Sequence, residues 1–191
     1  MVRLVLCTAM IGLWSLVIIQ DVLQREVSVV VLAAMTLVAL HGHAWHWWLL
    51  SLTTLLWPWR KHAMLLVAGA VGLGCITGEQ PPAMALATGL VAWGLGWWGG
   101  ADGIVLLALA LRGGFSGLIA GSVTTALVGG ILMLLRRQSA WGLAVALPNA
   151  VGLREVEGGI PPDKEMPAAA AIGAAGLIME VIALCHQMMC G

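Results

Sequence analysis

Charge is what this sequence has least of. Only 9% of its residues are Asp, Glu, Lys or Arg, and nine acids balance nine bases to a net charge of zero. A basic face of the kind that binds nucleic acid is therefore excluded, and so is an acidic one. The four cysteines, Cys7, Cys75, Cys185 and Cys190, form no C-x-x-C pair and sit mostly inside apolar runs. That spacing gives neither a zinc site nor a disulfide framework, and it reads as cysteine used as a small hydrophobe. No fixed-period repeat is present, and nothing is left over for a sizeable soluble domain. The first apolar run follows Arg3 as in a signal peptide but continues through Ile19 without a small-residue cleavage site, so it reads as a retained first span.

What is there is apolar: 61% of the residues are hydrophobic, and most long segments carry no charge at all. This is the composition of a polytopic membrane protein. At about 20 residues per crossing, the chain is expected to form one all-α transmembrane helix bundle of about eight spans, within a range of 6–9, as a single membrane-embedded domain over residues 1–191.

Along the chain, apolar segments run from Leu4 to Gln20 and from Val27 to Leu40, separated by Asp21 and the polar patch Gln24-Arg25-Glu26. His41, His43 and His46 then crowd among Trp45, Trp47 and Trp48, the composition of a membrane-water interface rather than a metal site. A shorter piece to Trp57, a run from Ala63 to Ile76, and another from Met84 to Trp98 follow. Ile104 to Leu111 is closed by Arg112-Gly113-Gly114, and Phe115 to Leu135 ends at Arg136-Arg137. Trp141 to Leu153 is broken by Pro148-Asn149, the charged stretch 154–166 reads as a polar cytoplasmic loop, and Pro167 opens a last span to about Met188.

Cations collect on the cytoplasmic side of spans. With the amino terminus outside and Trp45–Trp57 counted as a crossing, Arg25, Arg60, Lys61, Arg136, Arg137, Arg154 and Lys164 fall inside, leaving Arg3 and Arg112 outside. The same parity puts Asp21 and Asp102 at the cytoplasmic ends of their spans, at one depth. They are two of only three acids in apolar segments, the third being Glu180 deep in the last span. An ionised carboxylate at bilayer depth is costly unless it is paired or used. Two carboxyls at one depth are the ingredients of an aspartyl protease dyad, in which one keeps its proton and the other activates water, with no metal or other cofactor. Gly99, Gly100 and the small Ala101 before Asp102 allow a backbone to approach closely.

These residues resemble the type IV prepilin peptidases and preflagellin peptidases, a branch of the GxGD intramembrane aspartyl proteases. The family's first aspartate is followed by five residues and then Ile-Pro-Asn; here Asp21 is followed by five residues and then Val27-Ser28-Val29. Its second motif, Gly-x-Gly-Asp with lysine two residues on, corresponds to Gly99-Gly100-Ala101-Asp102 with Ile104 at the lysine position. Pro167 and the alanines after it are similar to the family's small-residue last span. The resemblance implies a catalytic dyad of Asp21 and Asp102, with Gly99, Gly100, Ala101 and Val27 near the substrate. It also implies a multi-pass enzyme of the cytoplasmic (inner) membrane that cuts the basic leader from prepilin, pseudopilin or preflagellin precursors. Its partners are the lipid bilayer and the precursor's leader and hydrophobic helix. Too few residues separate the first two spans for the insertion that carries N-methyltransferase activity. The residues themselves leave two alternatives open: a non-catalytic scaffold, or a small proton-linked transporter using the two aspartates.

Overall fold

A computed structural model of the chain describes residues 2–24, 26–41, 45–53, 62–94, 100–135 and 168–190. Among these residues the fold is all-helical, with seven helices: α1 (Val2–Gln24), α2 (Val29–Ala39), α3 (His46–Leu52), α4 (Ala63–Thr77), α5 (Gln80–Gly94), α6 (Gly100–Leu135) and α7 (Ala168–Cys190).

Tight reversals build the bundle. Ser28 begins α2 as its N-cap, its hydroxyl accepting from the Val31 amide, while the Ser28 amide donates to the Gln20 side chain and turns α2 back alongside α1. Gly78, at φ 75°, ends α4 in the left-handed conformation that glycine adopts without penalty. α5 then returns against α4 so closely that a Cβ on Gly74 would lie 2.3 Å from the Ala83 Cβ, and one on Gly94 2.8 Å from that of Ala63.

The third reversal lies inside α6. Gly114 has φ 58° and ψ −139°, outside any helical region. A Cβ on Gly117 would lie 2.4 Å from the Leu109 carbonyl oxygen, and one on Gly121 would touch Leu106 at 2.9 Å. Leu106 and Gly121 would be about 22 Å apart along a straight helix. α6 is therefore a helical hairpin whose arms, 100–113 and 115–135, lie antiparallel and in contact. The break falls where Arg112-Gly113-Gly114 closes the apolar run in the sequence.

α6 is the hub of the bundle, packing against α2, α3, α5 and α7, while α1 packs on α2 and α7. Its first arm carries an unbroken buried run from Ile104 to Leu111. Outward faces are apolar as well: on the second arm Phe115, Ile119, Val123, Leu127 and Ile131 are all exposed at four-residue spacing. The few buried polar side chains, among them Asp21, Thr36, Ser51 and Glu180, point inward. This distribution suits lipid outside and polar pairing within.

Among the described residues, three helical stretches have the length and apolarity to cross a membrane, Leu4–Gln24, Gly100–Val128 and Ala168–Met189, the second of them passing through the Gly114 turn. The expected count of about eight spans is not reached by helix length. α2, with 11 residues, and α4 and α5, with 15 each, rise only about 16–23 Å against a hydrocarbon core of about 30 Å. Apolar runs in the sequence overcount crossings because turns at Gly78 and Gly114 shorten the helices on either side. The Trp45–Trp57 crossing is described only as the seven residues of α3. The proposed cytoplasmic loop 154–166, and every cation that set the parity except Arg3 and Arg112, lie outside the described residues.

The Gly114 turn has a testable signature. Its surroundings are open, so Gly114→Ala meets no atom but forces a side chain into a glycine-only backbone region, at about 1–3 kcal/mol. Gly72→Ala, in open space within α4, is expected to be neutral or stabilising by up to about 1 kcal/mol. Thermal unfolding in detergent of the two variants checks this, and equal midpoints would refute the turn.

Candidate functional site

Contacts along α1 fix its register against α7. A Cβ on Gly176 would fall into the Trp14 ring, one on Gly173 would lie 3.5 Å from Val17, and the Ala170 amide donates to the Asp21 carboxylate at 2.7 Å. The partners rise along one chain as they fall along the other, so the helices are antiparallel and Asp21 meets the first turn of α7. The amides of that turn have no partner within their own helix. Asp21 is only 7% exposed, and a backbone donor compensates part of the cost of burying its carboxylate.

At the other end stands an ion pair. Arg112, two residues before the α6 turn, donates from Nε to Glu180 Oε1 at 2.7 Å and from Nη2 to Oε2 at 3.0 Å, a bidentate fork. Nη2 also lies 3.7 Å from the Sγ of buried Cys7. A small cavity of about 100 Å³, lined by Arg112, Gly113, Met179 and Glu180 among others, adjoins the pair. Arg112 and Glu180 were readable as an isolated cation and an isolated intramembrane acid, but their pairing was not foreseen. Opposite charges in segments that afford no water are the signal that links them.

From these anchors the level of Asp102 follows. The first arm of α6 and α7 run parallel, because Gly113 faces Met179 while Leu106 and Ile172 both meet Gly121 eight residues further along the hairpin. Arg112 and Asp102 are ten residues apart on α6, and Glu180 and Ala170 are ten apart on α7. Equal rise along parallel helices sets Asp102 level with the first turn of α7, the end of the bundle that holds Asp21. Asp102 lies half-buried in the first turn of α6, where an acid complements the helix dipole.

Gly100 and Ala101 share that turn and are half-buried, Val27 is half-buried against the core, and Gly99 lies outside the described residues. The closest backbone approach in the neighbourhood is one residue past the motif. A Cβ on Gly89 would lie 2.6 Å from the Gly103 Cα, so α5 packs directly against the helix that carries Asp102.

The histidine and tryptophan cluster divides. Trp45 is exposed, whereas Trp47 is fully buried and donates its indole N–H to Glu79 at the α4–α5 turn. His43 lies outside the described residues. Among the described residues no group of three or more His, Cys, Asp or Glu is placed to hold a metal ion. Cys7, Cys75 and Cys185 are free thiols.

No family model matches the chain, nor does any curated protein or solved structure.

The Asp21 contact separates folding from chemistry. Asp21→Ala leaves the Ala170 amide without its acceptor and is expected to destabilise the protein by about 1–3 kcal/mol. Asp21→Asn keeps an accepting oxygen and should cost clearly less. Unfolding in detergent measures both, and equal losses would mean that the hydrogen bond contributes nothing.

Proposed function

We propose that the chain is a membrane aspartyl endopeptidase of the prepilin-peptidase type, with Asp21 and Asp102 as its dyad. The observation that carries this reading is the helix register, which sets two acids from different helices at one level of the bundle. In the proposed reaction the ionised carboxyl takes a proton from water as the water oxygen bonds to the scissile carbonyl carbon, and the protonated carboxyl gives its proton to the carbonyl oxygen. Collapse of the resulting diol returns one hydroxyl proton to the second carboxyl. The first carboxyl protonates the leaving nitrogen as the C–N bond breaks, so the dyad is restored and one water is consumed.

In this reading the substrate is a pilin-like precursor. Its basic leader lies at the cytoplasmic face of the inner membrane and its hydrophobic helix enters the bilayer beside the acids. The bundle is multi-pass, the first arm of α6 being a short crossing of about 21 Å that thins the bilayer locally. A second reading, a scaffold in which the acids only anchor helix ends, is favoured by the single observation that Asp21 accepts from the Ala170 amide.

Cleavage of the host's own pilin-like precursors by the chain in liposomes decides between them. Asp21→Asn and Asp102→Asn are each expected to reduce cleavage by at least about 100-fold while the protein stays folded. Normal cleavage by either folded variant refutes the dyad, and absence of cleavage by the wild-type chain favours the scaffold.

A further inference from the structure

We infer that Arg112 and Glu180 are positioning residues for the Asp21–Asp102 site, acting on it from ten residues away along α6 and α7. Neither touches the acids. Their bidentate contact joins the end of the first α6 arm to the middle of α7. From that rung, ten residues of α6 lead to Asp102 and ten residues of α7 lead to Ala170, whose amide holds Asp21. Two parallel helices of equal reach, about 15 Å each, make a frame in which one ion pair sets the level of both acids.

The geometry favours a register lock over a general clamp. A bidentate guanidinium–carboxylate fork tolerates little sliding, because displacement by one residue, about 1.5 Å, breaks at least one of its two hydrogen bonds. Contacts elsewhere between α6 and α7 use glycine faces and aliphatic side chains, such as Gly121 against Ile172, which constrain sliding weakly. Burial sharpens the constraint: Glu180 is 5% exposed, so a slipped helix would leave a carboxylate unpaired in an apolar interior. The kinetic consequence rests on the peptidase reading; the positional one does not.

The test compares Glu180→Gln, which keeps the shape and removes the charge, with the swapped double variant Arg112→Glu/Glu180→Arg, which restores a pair of opposite polarity. Each is measured for precursor cleavage and for the distance between spin labels at Leu23→Cys and Leu127→Cys, exposed positions outside the site, with the native cysteines replaced. In Glu180→Gln, kcat is expected to fall by about 10–100-fold with KM little changed, because misplacement of reacting groups by about an ångström has that scale of effect. The label distance should shift or broaden, and the swapped variant should recover both quantities. Unchanged kcat and distance in Glu180→Gln would overturn the inference, as would a swapped variant that folds without regaining the distance or fails to fold. If the wild-type chain cleaves nothing, the peptidase reading fails and the distance measurement alone decides the positioning role.

Discussion

The Arg112–Glu180 ion pair is the constraint on which the arrangement depends. Within lipid, the hydrophobic effect does not press helices together, and axial sliding between apolar faces meets little resistance. A buried carboxylate is different, because losing its partner costs about 3–5 kcal/mol. The pair ties the turn of the α6 hairpin to the middle of α7, with Cys7 of α1 beside it. Asp21 and the Ala170 amide tie α1 to α7 again at the far end. Between these two polar rungs the interface is filled by small residues against large ones, Gly176 against Trp14 and Gly173 against Val17 and Ile18.

Glycine does two separate jobs in this bundle. At Gly78 and Gly114 it supplies positive φ, and so the chain reverses within a residue or two. At Gly89, Gly103 and Gly117 it removes a Cβ that would strike backbone, and so helices approach to contact. Both uses shorten and tighten the structure. They also deliver Asp102 to a helix start packed directly on α5.

Much of this was legible in the residues. Segregation of charge from apolar runs revealed an all-helical, membrane-compatible chain, and Arg112-Gly113-Gly114 marked the hairpin turn. Asp21 and Asp102 stood out as acids at the ends of apolar runs. The number of spans was not legible, because an apolar run of 15 residues looks like most of a crossing until a glycine turn ends it. The Arg112–Glu180 pair was hidden for a different reason: its members are 68 residues apart, and no local spacing links them. Trp47 misled in the same way, since an indole in an aromatic cluster reads as interfacial until its buried partner Glu79 is seen. The tight packing at Gly103, just after Asp102, depends on Gly89 of α5, which no local spacing links to it.

The central claim is that Asp21 and Asp102 share one level and one end of the bundle. Cross-linking in native membranes tests it most directly, using Asp21→Cys with Asp102→Cys in a chain whose own cysteines are replaced, and a short bifunctional maleimide. Val17→Cys with Gly173→Cys, on neighbouring turns of α1 and α7, serves as the positive control. A dyad needs the two positions close across the bundle as well as level along it, and so requires that the 21/102 pair cross-link. A control pair that links while the 21/102 pair stays unlinked would contradict the dyad.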